Sequence, residues 1–500
     1  MLALPAAAAA APEFRFGVTA GEVKSSSAKV WASVTEAASL DAQVATDAGF
    51  ANIVAEKAVA ATAEHDFTAQ TKVSGLNPGK RYRYRFCIDG TDTCSDVGRF
   101  QTAPKPGDSA KVRFAYTGDT DAATAMGETD PFFGPFDVFD QMLAEDNAFN
   151  IHIGDTIYSD SEVPGLPPAL TTEEKWGKYK LNLGQPPLVA LRGATGFYSQ
   201  WDDHEFINDF SRPEFGQALY QAGVKAFTDY APVTWSARNG LYRTFRWGKN
   251  LELFFLDERS FRSAKASAGG ICNVAGMPDL APTAPAAVRA AFATLIPPLA
   301  QPVPKACSDA INSPARTFLG ARQHAAFVKS IRASTATWKV VVNETPIQQF
   351  YQLPYDRWEG YAAERTQLLH DLAGIRNVLF LTTDTHANLI GEVRLQTLEP
   401  GGPVGTGIWE AVTGPVATNT YAKEIDRAVG QRGTGDFVTS LFLKPAPPRG
   451  IGMLCAATDV DSYVEVRVTA TTLTVTPKDA AGAPVHEKTG GRCGPLVLQS

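Results

Sequence analysis

The stretch Phe149-Asn150-Ile151-His152-Ile153-Gly154-Asp155-Thr156-Ile157-Tyr158 decides how this chain is read. It reads as a short apolar strand, a tight glycine turn, a carboxylate, and a tyrosine three residues further on. A buried strand ending in Gly-Asp presents an acid at the carboxyl edge of a sheet, where open α/β folds bind ligands. Taken alone, Gly-Asp after a strand is also ordinary turn chemistry. The device recurs, however. Val112–Asp119 shows it earlier, Phe197–His204 follows, and Val378–His386 comes near the end. Each of these strand ends delivers a carboxylate, and the last two also deliver a histidine.

Working outward, residues 13–103 read as all-β, with short strands between Gly, Pro, Asn and Ser turns. Val73-Ser-Gly-Leu-Asn-Pro-Gly-Lys80, running into Tyr82-Arg-Tyr-Arg-Phe86, resembles the end of a fibronectin type III-like sandwich. Alternation puts Tyr82, Tyr84 and Phe86 on the core face and Arg83 and Arg85 on the solvated one. Ala103–Asp108 reads as a linker. From Lys111 strands and helices alternate, as a layered α/β domain requires. The strands Leu389–Leu395, Thr406–Val412, Ser462–Thr469 and Thr471–Thr476 are expected to form a second sheet packed on the first. Residues 276–304 form a proline-rich insertion around a helical patch, Ala286–Leu295, either a lid or a surface excursion.

The chain has 500 residues, 44% of them apolar, enough for two or three domains. Its net charge of −7 argues against bulk electrostatic binding of nucleic acid, which needs clustered Lys and Arg. No apolar run reaches the roughly 20 residues of a membrane span. The Ala-rich stretch over residues 1–12 reads as a leader or signal remnant, which predicts a secreted or periplasmic protein. Six cysteines agree with export. None lies in a Cys-x-x-Cys motif. Sequence neighbours can pair as Cys87 with Cys94, Cys272 with Cys307 and Cys455 with Cys493, although six cysteines allow fifteen connectivities.

The chemistry comes from the four strand ends taken together. Thr117-Gly-Asp119, Gly154-Asp155-Thr-Ile-Tyr158, Trp201-Asp-Asp203-His204-Glu205 and Thr383-Asp384-Thr-His386 supply carboxylates, one phenol and two imidazoles. That many carboxylates around one centre repel one another until some protonate. Bound multivalent cations remove the penalty. The mixed Asp/His/Tyr set suits ferric iron, manganese or zinc, with calcium at an all-oxygen position. Asp155, central among the motifs, is the bridging candidate for two metals. Tyr158 as a tyrosinate points toward Fe(III). The remaining histidines, His65, His152, His324, His370 and His486, read as packing or surface residues.

The ordered set Gly-Asp, Gly-Asp-x-x-Tyr, Trp-Asp-Asp-His-Glu and Thr-Asp-x-His resembles the PhoD-like alkaline phosphatases of the calcineurin-like metallophosphoesterase superfamily. Leu256-Asp-Glu-Arg-Ser-Phe-Arg262, Leu319-Gly-x-x-Gln323 and Trp358-Glu-Gly-Tyr-x-x-Glu-Arg365 extend the likeness over nearly the whole chain. The resemblance implies an α+β protein: a fibronectin III-like β-sandwich (13–103) followed by a four-layer αββα metallophosphoesterase domain (104–500). It implies that Asp119, Tyr158 and His386 hold a first metal, with iron as the implied ion. Asp155 would bridge, and Asp203 and Asp384 would hold a second metal, often calcium in the family. His204 would protonate the leaving alkoxide, its pKa tuned by Asp202 or Glu205. Many PhoD-like enzymes carry a cysteine just after the first strand, whereas this chain reads Tyr116-Thr-Gly-Asp119. In Val342-Asn-Glu-Thr345, Asn343 and Glu344 are either oxygen donors or a strand-end cap.

The implied reaction is hydrolysis of phosphate diesters or monoesters by a metal-bridging hydroxide, on a small phosphate-ester substrate. Arg259 or Arg262 would neutralise the phosphoryl oxygens, unless it is a structural ion-pair partner. Cleavage of phospholipid head groups, as by a phospholipase D-type enzyme, is the nearest alternative. A secreted binding protein with a dead catalytic domain is the alternative of another class.

Overall fold

The computed structural model describes residues 11–500. Residues 1–10 of the expected leader lie outside them. Two large sheets pack face to face. In the first, the strand order is Leu496–Gln499, Thr472–Asp479, Ser462–Val468, Val112–Thr117, Phe149–Ile153, Gly196–Gln200, Phe14–Gly21, Ser27–Val34, Thr68–Ser74. In the second it is Arg243–Trp247, Leu251–Phe255, Trp338–Val342, Val378–Thr382, Val404–Val412, Asn388–Gln396, Cys455–Ala457.

Side-chain alternation explains the layering, because successive residues of a strand face opposite ways. Phe114, Tyr116, Phe149, Ile151 and Ile153 of the first sheet meet Leu253, Phe255, Val340, Val342, Leu379 and Leu381 of the second in one core. The intervening Phe254, Val341 and Phe380 face outward, onto helices Ala321–Ala333 and Ala362–Asp371. On the other side, Asp137–Ala144, Thr172–Asn182, Pro186–Ala194 and Gln217–Tyr230 cover the first sheet. The layers are therefore αββα, as the resemblance implies. The Thr172–Asn182 helix starts where Thr171 caps it, in a reciprocal capping box with Glu174.

One expectation is corrected. Ser462–Val468 and Thr472–Asp479 join the first sheet, where Ser462–Val468 pairs antiparallel with Val112–Thr117. They do not belong to the second. The sandwich shares a sheet with the larger domain. One of its sheets, Ile53–Ala61, Ala38–Ala45, Arg81–Ile88 and Gly98–Gln101, stands alone. The other runs on into the first large sheet, with Ala20 of Phe14–Gly21 registered parallel against Gly196. Tyr82, Tyr84, Phe86 and Phe100 are core residues, in the same cluster as Phe149 and Trp247.

The disulfides pair as expected: Cys87–Cys94, Cys272–Cys307 and Cys455–Cys493. The insertion is held by its own buried pair, Arg289 Nη1 to Asp279 Oδ1 at 2.7 Å. Its Phe292 packs edge-on against Phe442. None of residues 276–304 lines the cleft described below, and the insertion touches its rim where the Leu353 N–H donates to Leu280 O at 2.8 Å. Among the described residues, no helix is long and apolar enough to cross a membrane.

Candidate metal centre

Val112–Thr117, Phe149–Ile153 and Gly196–Gln200 are adjacent parallel strands. Their carboxyl ends therefore lie side by side, and the turns that follow carry Asp119, Asp155 and Asp203-His204. Val378–Thr382, from the second sheet, brings Asp384 and His386 to the same place. A hydrogen bond from Thr383 Oγ1 to Ile153 O, 2.6 Å, ties the two sheet edges together. The four motifs thus converge at one joint between the sheets.

The turns are tight. Asp119, Asp155, Asp384 and His386 all have left-handed backbones, with φ of +64, +48, +61 and +52°. Each such residue costs about 1 kcal/mol, and runs of them mark functional sites when the surroundings enforce them. Gly154 has φ +67°, and a Cβ there would sit 2.5 Å from Asp202 Cβ. Gly414 is as constrained, since its Cβ would lie 2.3 Å from Asp119 Oδ2.

Ligand atoms of Asp119, Asp155 and His386 lie within 4.8 Å of one another, as do those of Asp155, Asp203 and His204. Asp155 belongs to both groups. Tyr158 Oη is 3.0 Å from His386 Nε2, which is 3.8 Å from Asp119 Oδ1. His386 Nδ1 bonds to Asn419 O at 2.6 Å, which leaves Nε2 turned toward the carboxylates. A third acidic group, Asp203, Asp209 and Asp356, adjoins these. A cleft of about 240 Å³ opens over the centre, lined by Asp155, Tyr158, Asp203, His204, Asp384 and His386 among others.

The electrostatics fit cations. Both carboxylate oxygens of Asp119 are buried without a hydrogen-bond partner. The Asp384 peptide N–H helps this carboxyl only weakly and does not reach hydrogen-bond geometry. Burial, and then the charge of Asp155, hold Asp119 well above the usual carboxylate range. Burial raises Asp155 too, and lifts Asp384 to about 7. Asp203 is the exception. Burial opposes its ionisation, but Arg259 and His204 overcome this and bring it to about 2. Burial, with Asp155 and Asp119 nearby, pushes the Tyr158 phenol far up, so its ionisation requires a strong Lewis acid in contact. An orphaned buried carboxylate beside a second carboxylate, a phenol and an imidazole suits one hard or borderline cation, and Asp203 with Asp384 suits another. All six cysteines are in disulfides, so no thiolate is available as a ligand.

His204 is oriented by a residue that sequence reasoning missed. Its Nδ1 is 2.7 Å from Asp160 Oδ1, and the Tyr158 ring stacks on it with centroids 4.1 Å apart. Burial works against the imidazolium, yet Asp155, Asp203 and Asp160 together hold its pKa well above the ordinary value. Asp202 and Glu205, the expected tuners, are otherwise engaged. Asp202 binds Arg259 at 2.5 Å, and Glu205 accepts from the N–H groups of Thr156 and Asp202.

Two further expectations are corrected by burial. Arg259 is fully buried, paired with Asp202 and Asp356 at 2.5 and 2.7 Å, and Arg262 is paired with Asp356 at 2.9 Å. Both are the structural ion-pair partners that the sequence left as the other option, and neither lines the cleft. Asn343 caps the strand end, donating to Thr345 O and accepting from Trp358 Nε1 at 3.3 Å. Glu344 accepts from Gln200 Nε2 and Glu258 N. His152 is a buried packing residue, as expected, with Nε2 3.3 Å from Thr120 Oγ1.

Against known sequences, the PhoD-like phosphatase family matches residues 123–441, and the family's N-terminal domain matches residues 2–104. The chain belongs to the PhoD-like phosphatase family. Alkaline phosphatase D of Bacillus subtilis (strain 168) is 24% identical over 422 residues, covering 75% of this PhoD-like chain. The chain spans 64% of the length of that curated relative. Among solved structures, that of PhoD superposes with a TM-score of 0.73 at 20% identity, over 97% of this chain and 88% of its own. The purple acid phosphatase PPD1 from yellow lupin (Lupinus luteus) seeds gives a TM-score of 0.60 at 12% identity, over 95% and 73%. At these identities the two structures establish a shared fold, the sandwich and metallophosphoesterase layers together.

Proposed function

We propose that this PhoD-like chain is a metal-dependent phosphoesterase, hydrolysing small phosphoric esters at the joint of the two sheets. The observation that carries this is Asp119, a buried carboxylate with both oxygens unpartnered, within reach of Asp155 and His386. In this reading Asp119, Tyr158 and His386 hold the first cation and Asp203 and Asp384 the second. Asp155, shared by both ligand groups, lies between them. The tyrosine favours Fe(III) at the first site and the all-oxygen set favours Ca²⁺ at the second, with Mn²⁺ or Zn²⁺ as replacements. When bound, such cations supply Lewis acidity to water and to the phosphoryl oxygens.

The remaining steps belong to side chains. With Nδ1 engaged by Asp160, His204 has Nε2 left for the substrate. With cations on Asp155 and Asp203, Asp160 is the carboxylate left to favour the imidazolium, which would donate its proton to the departing alkoxide. Tyr158 holds the imidazole plane from one side. The buried Arg259–Asp202–Asp356 network fixes the turn on which Asp203 and His204 stand. The completeness of the set supports catalysis over a binding-only role.

The division at residues 12 and 103 belongs to this reading, with residues 13–103 as a buttress that extends the first sheet. Three disulfides support an oxidising compartment, hence a secreted or periplasmic protein. The test is Asp155→Ala, assayed on 4-nitrophenyl phosphate esters together with metal content. Loss of hydrolysis and of bound metal in a folded variant is expected. Hydrolysis that survives with unchanged metal overturns the proposal.

A further inference from the structure

Arg357 is the one lysine or arginine among the residues that line the cleft. Only 8% of it is exposed, yet among the described residues no carboxylate lies within ion-pair distance of it. The adjacent Asp356 turns the other way, to Arg259 and Arg262. Arg357 is held instead by main-chain carbonyls. Its Nη2 donates to Gln352 O and, at 3.1 Å, to Leu353 O. Carbonyl groups fix the guanidinium, and the carboxyls of Asp384 and Glu359 act on its charge only from beyond ion-pair distance. A nearly buried charge left unpaired is costly, and it persists where an anion completes it.

The loop that carries Arg357 is braced. The Glu359 carboxylate accepts from the N–H groups of Phe350 and Tyr351, at 2.6 and 3.0 Å. Tyr351 Oη donates to Glu399 at 2.9 Å. Tyr351 and Leu353 are held at φ +61 and +46°. The guanidinium is thus preorganised, as a group that stabilises developing or bound negative charge must be. The rest of the cleft's lining carries Glu162, Asp209 and Glu424, which repel anions.

We propose that Arg357 makes this cleft selective for doubly charged phosphomonoesters over singly charged diesters. The proposal rests on the phosphoesterase reading above. Acidic side chains around the cleft repel a dianion more than a monoanion, and Arg357 is a fixed cation of the protein itself that opposes this beside the bound metals. A monoester also carries two charges over three terminal oxygens, whereas a diester carries one over two, so a fixed cation favours the monoester.

The experiment compares 4-nitrophenyl phosphate with bis(4-nitrophenyl) phosphate for the metal-loaded protein, Arg357→Met and Arg357→Lys. Arg357→Met is expected to lower kcat/KM about 10- to 100-fold on the monoester and only a few-fold on the diester. Arg357→Lys, which keeps a charge but not the carbonyl-held position, should fall between. Equal losses on both esters, or none, overturn the proposal. A second readout is the rise in melting temperature caused by inorganic phosphate, expected for the wild type and lost in Arg357→Met. If the wild type hydrolyses neither ester, the phosphoesterase reading fails. The phosphate-induced shift then decides the role of Arg357 by itself: dependence on Arg357 supports a dianion site, and independence overturns it.

Discussion

His204 and Asp160 are joined at 2.7 Å, Nδ1 to Oδ1, and the other Asp160 oxygen accepts the Asn208 N–H at 2.8 Å. The carboxylate is therefore itself fixed, and it fixes the imidazole. If His204 protonates the leaving group, losing Asp160 should matter most where the leaving group is poor. Asp160→Asn is expected to lower kcat about 10- to 100-fold on an alkyl phosphate and much less on a nitrophenyl ester. Metal content should stay unchanged. Equal loss on both esters would argue for a structural role only.

Removing the cations should destabilise the fold, and more so as pH rises. In the cation-free protein Asp119, Asp155 and Asp384 have carboxyl pKa values above their unfolded ones, chiefly through burial. Groups raised in this way favour folding while protonated. Their contribution is full below about pH 4 and is lost as pH climbs through the folded values, about 7 for Asp384. Melting curves of chelated protein between pH 5 and pH 8 should therefore fall steadily, and added metal should flatten them. A chelated protein whose melting temperature is flat across that range would contradict the assignment.

Ferric iron on Tyr158 has its own signature. Iron-loaded protein is expected to show a visible charge-transfer band, absent from Tyr158→Phe. A band that survives the substitution would move the iron elsewhere.

Much of the centre was legible because buried parallel strands read as continuous apolar runs, and Gly-Asp after such a run is conspicuous. The order of the motifs then carried Asp119, Asp155, Asp203, Asp384 and His386 to one place. What periodicity does not encode is a strand's neighbour, which is why Ser462–Val468 and Thr472–Asp479 were assigned to the wrong sheet. The Ala-rich strand Ile53–Ala61 alternates too weakly to stand out. Asp160 sits two residues past Tyr158 with no spacing rule to mark it, and only the approach of the His204 turn gives it a role. Among the arginines, sequence offers candidates and burial sorts them. Arg259 and Arg262 are consumed by carboxylates, whereas Arg357, one residue before the recognised Trp358-Glu-Gly-Tyr361, is left facing the cleft.

His324 offers a pH test away from the centre. It lies between Glu364 at 3.2 Å and Asp371 at 3.1 Å, and the hydrogen bond to Glu364 leads in raising its pKa. A histidine raised in this way stabilises the fold fully below about pH 6.5, and the benefit disappears as pH passes its folded value. The site is partly solvated, so screening keeps the effect to about 1 kcal/mol or less. His324→Gln should match the wild type at high pH and be less stable near pH 6 in denaturant titrations. An equal deficit at both pH values would assign the loss to packing.

Gly154 is where fold and site depend on the same missing atom. Two effects would oppose a Cβ there. The first is the left-handed backbone, which costs an L-residue about 1 kcal/mol. The second is collision with Asp202 Cβ at 2.5 Å, on a turn held by the buried Arg259 pair and unable to retreat. Gly165 separates the two effects, since it has φ +85° and open space around its Cβ position. Gly165→Ala should cost only the backbone part, whereas Gly154→Ala should cost about 2–4 kcal/mol in chemical denaturation. Because Asp155 follows directly, Gly154→Ala should also lose bound metal at temperatures where it remains folded. If both alanine variants are equally stable, the turn is looser than the packing of Asp202 against Gly154 implies, and Asp155 is not held by it.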